Sequence, residues 1–356
     1  MKIAIILGTR PEIIKLSPII KQLNKKSTSV IFTGQHYDHN MSMSFIDQLG
    51  LKKPNHSLKI PKSKPNLQIS EMIKKLSKIL ETEKPENVIV QGDTNTVLAA
   101  GIASLKCNIS ISHVESGLRS NDWRMPEEHN RVIVDNFSNY LFAPTQFAKQ
   151  NLVSENVHGK IFVTGNTVID AINQFSKISK KYSKLILDYD DYVLLTLHRS
   201  ENVDNKFILS AIIKSILDSK QKFIFVVHPR TKKRLHEFNL IRKLKLSKNI
   251  VLFDSVGYFE MLELMKNCHY IVTDSGGIQE EATASPIRKK VIVIRKTTDR
   301  PEAVLDGFSE IVGTNYNKIL KSLTKTLKNP SIPKKTSPYG DGDSARKIIQ
   351  HLRKNL

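Results

Sequence analysis

Residues 2–26 read KIAIILGTRPEIIKLSPIIKQLNKK, and they pass from an apolar run through a polar loop into an amphipathic segment. The run Lys2–Leu7 is rich in branched apolar side chains, as is typical of a strand buried on both faces. The segment Glu12–Lys25 repeats its apolar residues at helical spacing. A strand, a loop and a helix in this order begin a βαβ unit, which predicts a parallel sheet covered by helices.

The same rhythm continues along the chain and predicts an α/β protein with two Rossmann-like, doubly wound domains that face a central cleft. We place the first domain at residues 1–175, the second at 176–338 and a C-terminal segment at 339–356. The segment Ser176–Asp191 has no strand pattern and marks the crossing between the domains. Predicted helices include Asn66–Glu83 and Ser344–Arg353, and the predicted strands are Lys2–Leu7, Ser29–Thr33, Asn87–Gln91, Ile109–Val114, Tyr140–Ala143, Ile161–Thr164, Tyr192–Leu197, Phe223–Val227, Ile250–Phe253, Tyr270–Thr273 and Val291–Ile294.

Composition and charge narrow the class of protein. Hydrophobic residues make up 40% of the 356 residues and charged residues 25%, as in ordinary globular proteins. The formal net charge is +21, but the lysines are spread along predicted helix faces without interleaved aromatic residues, so we expect no nucleic-acid partner. The first apolar run stops at Gly8, and no run approaches the roughly 18 residues of a membrane span. We therefore expect a cytoplasmic protein without a membrane partner.

Motifs for the common cofactors are missing from the sequence. Neither GxGxxG nor GxxxxGK[ST] occurs, which argues against a dinucleotide cofactor and against a P-loop. Cys107 and Cys268 stand alone, and the histidines show no HExxH or comparable spacing. We expect no cofactor and no metal.

Polar loops follow the predicted strands, at the edge where parallel sheets bind ligands. In the first domain these loops are Gly8–Glu12, Gly92–Asn95 and Glu115–Arg119, and in the second they are His198–Asn202 and Asp274–Gly277. We therefore predict that the five loops line one shared cleft.

Two of these loops are candidates for binding an anion. The loop that ends in Ser275-Gly276-Gly277 joins a strand to a helix, so its free N–H groups and the positive end of the helix dipole favour an anion. A capping role for its aspartate or serine is the alternative. The loop at Gly8 offers the same two interpretations, with Arg10 suited to phosphate oxygens and Lys15 one turn inside the helix.

Three carboxylates are candidates for acid and base chemistry. Asp93 follows a strand, although it is also placed to cap the next helix. Glu115 is delivered to the sheet edge by an apolar strand. Glu127 begins a helix, where a carboxylate that only complements the helix dipole is the alternative. Among the histidines, His198 directly follows a strand, whereas His113 lies within one and is assigned to the core.

With these features in place, the sequence resembles the non-hydrolysing UDP-N-acetylglucosamine 2-epimerases over about residues 1–342. The resemblance implies a fold shared with one large class of glycosyltransferases (GT-B-like), a C-terminal helix that packs back on the first domain, and a homodimer. It also implies that the substrate is a UDP-sugar. The motifs that carry it, in order, are Gly8–Glu12, Gly92–Thr94, His113–Arg119, Pro126–Glu128, Gly165–Thr167, Asp274–Glu281 and Pro338–Gly342.

The same resemblance assigns roles to individual residues. The predicted catalytic set is Asp93, Glu115, Glu127, His198 and Lys15. The substrate-binding set is Arg10, Arg131, Ser275, Gly276, Gly277 and Glu281. Within these sets His198 also contacts the diphosphate with Arg10, Ser275 and Gly276, while Glu281 holds the ribose. The chain departs from the usual family pattern at Met261, Ser285–Lys290 and Lys296, near the base and the sugar.

The implied reaction explains why carboxylates are needed. Carbon 2 of N-acetylglucosamine has no adjacent carbonyl to acidify its hydrogen, so direct deprotonation is hard. Elimination of UDP to a 2-acetamidoglucal, followed by re-addition, needs an acid, a base and a stabilised leaving group. The alternatives are a glycosyltransferase of the same fold, a UDP-sugar sensor, and an epimerase for a UDP-2,3-diacetamido uronic acid. That last branch usually has glutamine at the position of Glu12, so Glu12 favours the neutral sugar.

Overall fold

The computed structural model describes residues 2–35, 39–61, 63–185 and 191–356, and it divides into two compact units. Unit 1 consists of Met1–Ala171 and Tyr339–Leu356, and unit 2 consists of Ile172–Pro338. Each unit contains one parallel sheet with helices between its strands, which confirms the predicted α/β class. Of the predicted crossing segment, residues 186–190 lie outside the described residues.

Unit 1 is built on a seven-stranded sheet of order β3-β2-β1-β4-β5-β6-β7. Its strands are β1 Ile3–Leu7, β2 Thr28–Phe32, β3 His56–Ser57, β4 Asn87–Gln91, β5 Ser110–Val114, β6 Tyr140–Ala143 and β7 Lys160–Val163. Its helices are α1 Arg10–Gln22, α2 His39–Gln48, α3 Pro65–Glu83, α4 Asn95–Lys106, α5 Pro126–Phe137, α6 Gln146–Ser154, α7 Thr167–Phe175, which runs past the unit boundary, and α17 Ser344–Asn355.

Unit 2 repeats the same winding in a six-stranded sheet of order β10-β9-β8-β11-β12-β13. Its strands are β8 Val193–Leu197, β9 Phe223–Val227, β10 Ile250–Phe253, β11 Ile271–Thr273, β12 Val291–Val293 and β13 Ser309–Ile311. Its helices are α8 Ser179–Tyr182, α9 Ser200–Val203, α10 Lys206–Asp218, α11 Pro229–Glu237, α12 Ile241–Leu246, α13 Tyr258–Asn267, α14 Gly276–Glu281, α15 Pro301–Leu305 and α16 Tyr316–Lys328.

The central strands are buried along their whole length, which explains their continuous apolar sequence. All five residues of β1 are buried, and so are all five of β8. Helices cover both faces of such a sheet, so every position of a central strand faces a core. One hydrophobic core therefore forms around β1 and β4 in unit 1, and another forms around β8 and β9 in unit 2.

The strand order places a topological switch point in each sheet. The winding reverses between β1 and β4 in unit 1 and between β8 and β11 in unit 2. Loops that leave the carboxyl ends of such strands diverge and open a crevice for ligands. In unit 1 Gln91 pairs with Val114 across β4 and β5, so Gly92 and Glu115 leave the sheet side by side.

The C-terminal helix belongs to unit 1, where it packs against α1. Asp170 accepts hydrogen bonds from the first backbone amides of α17, at Ser344 (3.2 Å) and Ala345 (2.9 Å). A carboxylate at this end also complements the helix dipole. The chain entering the helix is fixed as well, because Asn166 donates its amide to the carbonyl of buried Tyr339 at 2.7 Å.

Candidate functional site

The loop after β1 brings the start of α1 close to the sheet edge. A Cβ at Gly8 would lie 2.1 Å from Thr33 Oγ1 and 2.2 Å from Thr96 Oγ1, so only glycine fits there. Arg10 begins α1 and lies over the ring of Phe45, with its guanidinium carbon 5.2 Å from the ring centroid. The loop therefore needs a glycine at position 8 to lie this close to Thr33 and Thr96.

Glu12 holds this loop from within the first turn of α1. Its buried carboxylate accepts the amides of Gly8 at 2.6 Å and Thr9 at 2.8 Å, and it also bonds the hydroxyl of Thr94. The glutamate thus joins the loops after β1 and β4, on the two sides of the switch point. Burial raises the pKa of Glu12 to about 7, although these hydrogen bonds act in the opposite direction.

Glu115 stands at the end of β5 in a backbone conformation that is unusual for its residue type. Its φ is 69°, in the left-handed region, and such strain is found mainly where the surrounding structure imposes it. Lys15 donates to both carboxylate oxygens, at 2.8 and 2.6 Å, and Gln91 Nε2 donates at 3.0 Å. The side chains of Lys15 and Glu115 are only 12% and 6% exposed, so this is a largely desolvated ion pair.

Asp93 is held by two neighbouring residues of α5. Arg131 forms an ion pair with its carboxylate, and Asn130 Nδ2 donates to its backbone carbonyl at 2.9 Å. The next helix is capped by Thr94, whose hydroxyl accepts from Val97 N, so Asp93 is not the capping residue. Its carboxylate remains at the sheet edge, with its side chain 30% exposed.

Glu127 and Glu128 behave differently although they are adjacent. Glu128 is buried and accepts the amides of Ser120 and Asn121 at 2.9 to 3.0 Å, which fixes the loop before α5. Glu127 is exposed on the first turn of α5, and within the described ranges no hydrogen bond or ion pair engages it. The structure therefore joins Lys15 to Glu115 and Arg131 to Asp93, and neither pair includes Glu127.

At the switch point of unit 2, buried Asp274 organises the loop after β8. Its carboxylate accepts the amides of His198 and Arg199 and the side-chain amide of Asn202, each at 3.0 Å. The Nδ1 atom of His198 lies 3.3 Å from the same carboxylate, and the imidazole is 35% exposed. Burial lowers the pKa of His198, which outweighs the opposite effect of Asp274. Asp274 thus fixes the histidine loop and does not cap α14.

The glycine turn of unit 2 leads into α14, which has six residues. Ser275 is its N-cap, without a side-chain capping bond, and a Cβ at Gly276 would lie 3.1 Å from Asp299 Oδ1. A Cβ at Gly277 would meet nothing within 4 Å, so its backbone borders open space. Glu281 ends the helix and is half-buried.

Comparison with known proteins decides the family. A sequence model described as UDP-N-acetylglucosamine 2-epimerase matches residues 20–353. The chain is 47% identical to the UDP-N-acetylglucosamine 2-epimerase of Methanocaldococcus jannaschii over 99% of both chains. The chain belongs to the UDP-N-acetylglucosamine 2-epimerase family. The resemblance predicted from the seven motifs is thereby confirmed.

Solved structures of the epimerase family extend this agreement to the fold. The M. jannaschii enzyme in complex with UDP-GlcNAc and UDP matches with a TM-score of 0.88 and 46% identity, over 99% of this chain and 100% of that one. The Neisseria meningitidis UDP-GlcNAc 2-epimerase bound to UDP-GlcNAc also gives 0.88, at 33% identity over 100% of both chains. The prediction of the GT-B-like epimerase fold is confirmed.

Unit 2 of this epimerase-family chain also contains a cluster of buried charged side chains around Asp299. Asp299 lies 3.0 Å from Arg295 Nη1 and 3.1 Å from Arg300 Nη1, and Arg300 also pairs with buried Glu280. Lys296, one of the departures from the usual family pattern, is exposed beside this cluster. Asp299 of this cluster lies so close to Gly276 that an added Cβ would come within 3.1 Å of its Oδ1.

The sequence does not show which groups the organising residues bind. Gln91, Asn130 and Asp274 act by accepting or donating hydrogen bonds across distant segments, which no local pattern reveals. Glu12 has one signal, because a glutamate three residues after Thr9 completes a capping box. Across the described ranges, no group of three or more His, Cys, Asp and Glu is placed to hold a metal, and no helix there is long and apolar enough to cross a membrane.

Proposed function

We propose that this protein interconverts UDP-N-acetylglucosamine and UDP-N-acetylmannosamine by eliminating UDP and adding it back. The carrying observation is the desolvated pair of Glu115 and Lys15 at the edge of the unit 1 sheet, in a chain that matches a UDP-N-acetylglucosamine 2-epimerase over 99% of its length. Asp93 and Arg131 form a second ion pair at the same sheet edge. The two pairs together supply several acids and bases there.

The proposed elimination breaks two bonds of the substrate. The hydrogen on carbon 2 leaves as a proton to a carboxylate, and the bond from carbon 1 to the UDP oxygen breaks, which yields 2-acetamidoglucal and UDP. Return of a proton to the opposite face of carbon 2 and of UDP to carbon 1 completes the inversion. We assign proton transfer to Asp93, Glu115 and Glu127, with Lys15 favouring the charged form of Glu115.

Stabilisation of the departing diphosphate is the second requirement of this mechanism. We assign it to Arg10 of unit 1 and to His198, Ser275, Gly276 and Gly277 of unit 2, with Glu281 on the ribose. Support comes from the open space at Gly277 and from the fixed histidine loop. Arg131 would act by orienting Asp93.

Isotopes test the bond-breaking steps directly. The enzyme is incubated with UDP-GlcNAc in D₂O, and the UDP-ManNAc formed should carry deuterium at carbon 2. With oxygen-18 in the bond between carbon 1 and phosphate, label should scramble into non-bridging positions. Epimerisation without deuterium uptake would argue for hydride transfer or a shielded proton, and epimerisation without scrambling would argue against departure of UDP unless bound UDP cannot rotate.

The alternative substrate is a UDP-2,3-diacetamido uronic acid. The chain is 34% identical to the Pseudomonas aeruginosa UDP-2,3-diacetamido-2,3-dideoxy-D-glucuronate 2-epimerase, against 47% to the M. jannaschii UDP-GlcNAc enzyme. Parallel assays with both sugars decide between them, and faster turnover of the uronic acid would overturn our assignment.

Two further expectations stay predictions. A homodimer should show twice the mass of the chain in light scattering, and a cytoplasmic location should show in fractionation of the source cells.

A further inference from the structure

His113 lies in the middle of the unit 1 core and contacts two acceptors. The residue is completely buried in β5. Its Nε2 atom lies 2.8 Å from the carbonyl oxygen of Gly92, and its Nδ1 atom lies 2.7 Å from Asp135 Oδ1. Asp135, from α5, is completely buried as well. Both ring nitrogens are therefore engaged at hydrogen-bond distance.

The identity of these partners fixes the protons on the ring. A carbonyl oxygen only accepts, so Nε2 must carry a hydrogen. A neutral imidazole has a single N–H, so the contact between Nδ1 and the carboxylate requires a second proton, either on the ring or on Asp135. The other oxygen of Asp135 faces Gly117 N at 3.1 Å and Arg119 Nη1 at 2.8 Å, and both are donors. Two donors on one oxygen, one of them a guanidinium, favour the ionised carboxylate.

Asp135 lies between His113 and Arg119, and both affect the pKa of its carboxyl. Burial raises the pKa of this carboxyl, but the charges and hydrogen bonds of His113 and Arg119 outweigh burial and lower it overall. Arg119 in turn forms a bidentate pair with Glu155, at 2.7 and 2.6 Å. With an imidazolium, the charges of His113, Asp135, Arg119 and Glu155 alternate in sign, and the first three side chains are buried while that of Glu155 is 31% exposed.

We propose that His113 is a buried imidazolium and a positioning residue that holds the loops of Asp93 and Glu115 in place. It acts on the first loop through the carbonyl of Gly92, directly before Asp93. It acts on the second through Asp135, which accepts the amide of Gly117 two residues after Glu115. The role in catalysis rests on the proposed function, whereas the protonation state does not.

Helix α5 provides the contacts to both loops. Asn130 and Arg131 bind Asp93 from its first half, and Asp135 binds His113 and the Gly117 amide from its second half. One helix thus fixes both loops, and His113 links them at the point where they leave the sheet. A small displacement of reacting groups, about 1 Å, is enough to cost roughly a hundredfold in rate.

Neutron diffraction on the deuterated wild-type protein tests the protonation state without any substitution. At about pH 8 an ordinary histidine is neutral. We expect deuterium on both nitrogens of His113, and deuterium on one nitrogen only would overturn the imidazolium. Asp135→Asn removes the anion but keeps the shape, so Nδ1 should lose its deuterium while Nε2 keeps the bond to Gly92.

Kinetics test the positioning role. His113→Gln should lower kcat for UDP-GlcNAc by about 100-fold while KM changes by less than about threefold, because the loss is in loop placement and not in nucleotide binding. Asp135→Asn keeps the Nε2 bond to Gly92, so its kcat should fall by less than about tenfold. His158→Gln is the matched control, since His158 is exposed and its Nδ1 lies 2.9 Å from the carbonyl oxygen of Asn136, away from both loops.

Three results would overturn the positioning role. These are a kcat of His113→Gln within about threefold of wild type, a loss of more than about 100-fold in Asp135→Asn with its Gly92 bond intact, and a crystal structure of His113→Gln with both loops unmoved. The crystal structure needs no activity, so it tests positioning even if the wild type epimerises no UDP-sugar. A wild-type protein that epimerises no UDP-sugar would instead contradict the proposed function.

Discussion

The two sheets have the same winding, but the side chains that follow their strands differ in chemistry. In unit 1 the residues after the strands are charged side chains in pairs, Lys15 with Glu115 and Arg131 with Asp93. In unit 2 a single buried carboxylate, Asp274, collects backbone amides and leaves His198 partly exposed. The shared topology therefore gives each unit a crevice at the carboxyl ends of its strands. The side chains around a crevice decide whether it favours proton transfer or ligand binding.

The comparison predicts that substitutions in unit 1 change turnover and substitutions in unit 2 change binding. The largest expected effect is that of Glu115→Gln, which removes a positioned acid or base with little change of shape. The kcat should fall by about 10²–10⁴ while the Kd for UDP changes by less than about twofold.

Glu71→Gln is the control for this variant. Glu71 is a half-exposed glutamate of unit 1 whose ion pair with Lys75, at 3.2 Å, lies within α3. Its substitution should leave kcat unchanged. A Glu115→Gln enzyme slowed by less than about tenfold, with UDP binding intact, would show that Glu115 only supports the structure.

The next effect is on stability and concerns Glu12, which joins the two loops of unit 1. Its pKa in the folded protein is about 7, above the ordinary value of 4.5. Between these values the folded state holds the extra proton, so stability from this group is fully present below pH 4.5 and is lost as pH rises through 7. The loss by about pH 8 is on the order of 3 kcal/mol.

Glu12→Gln removes this titration, because glutamine keeps the shape and stays neutral. Between about pH 5 and pH 8 the Tm of the wild type should fall relative to that of the variant by about 5 °C or more, measured by calorimetry. The Glu71→Gln protein should follow the wild type at every pH. Parallel curves for wild type and Glu12→Gln would mean that Glu12 does not change its charge in this range.

The smallest expected effect belongs to unit 2. Glu281→Ala should raise the Kd for UDP by about tenfold, or about 1.4 kcal/mol, while kcat at saturating substrate changes by less than about threefold. Calorimetric titration of UDP and steady-state kinetics measure the two quantities. If Glu281→Ala mainly slowed turnover and Asp93→Asn mainly weakened UDP binding, the roles of the two units would be exchanged.

Strand prediction succeeds for the central strands and for the edge strands β7 and β10, and it misses the two shortest edge strands. The run Asn87–Gln91 is predicted with its exact bounds, because its three central residues are apolar and branched, as is typical of a strand buried on both faces. The edge strands His56–Ser57 and Ser309–Ile311 were missed, since two or three residues carry no periodicity and pair only because a neighbour is present.

The sequence by itself determined the winding of both sheets, the loops at their switch points and the positions of Glu115 and Asp93 after their strands, because these depend on local patterns of apolar and polar residues. Only the tertiary structure separated buried Glu128 from exposed Glu127 and joined His113 to Gly92 and Asp135. The physical reason is that a hydrogen bond across 22 residues depends on where a strand and a helix meet, and no local pattern encodes that distance.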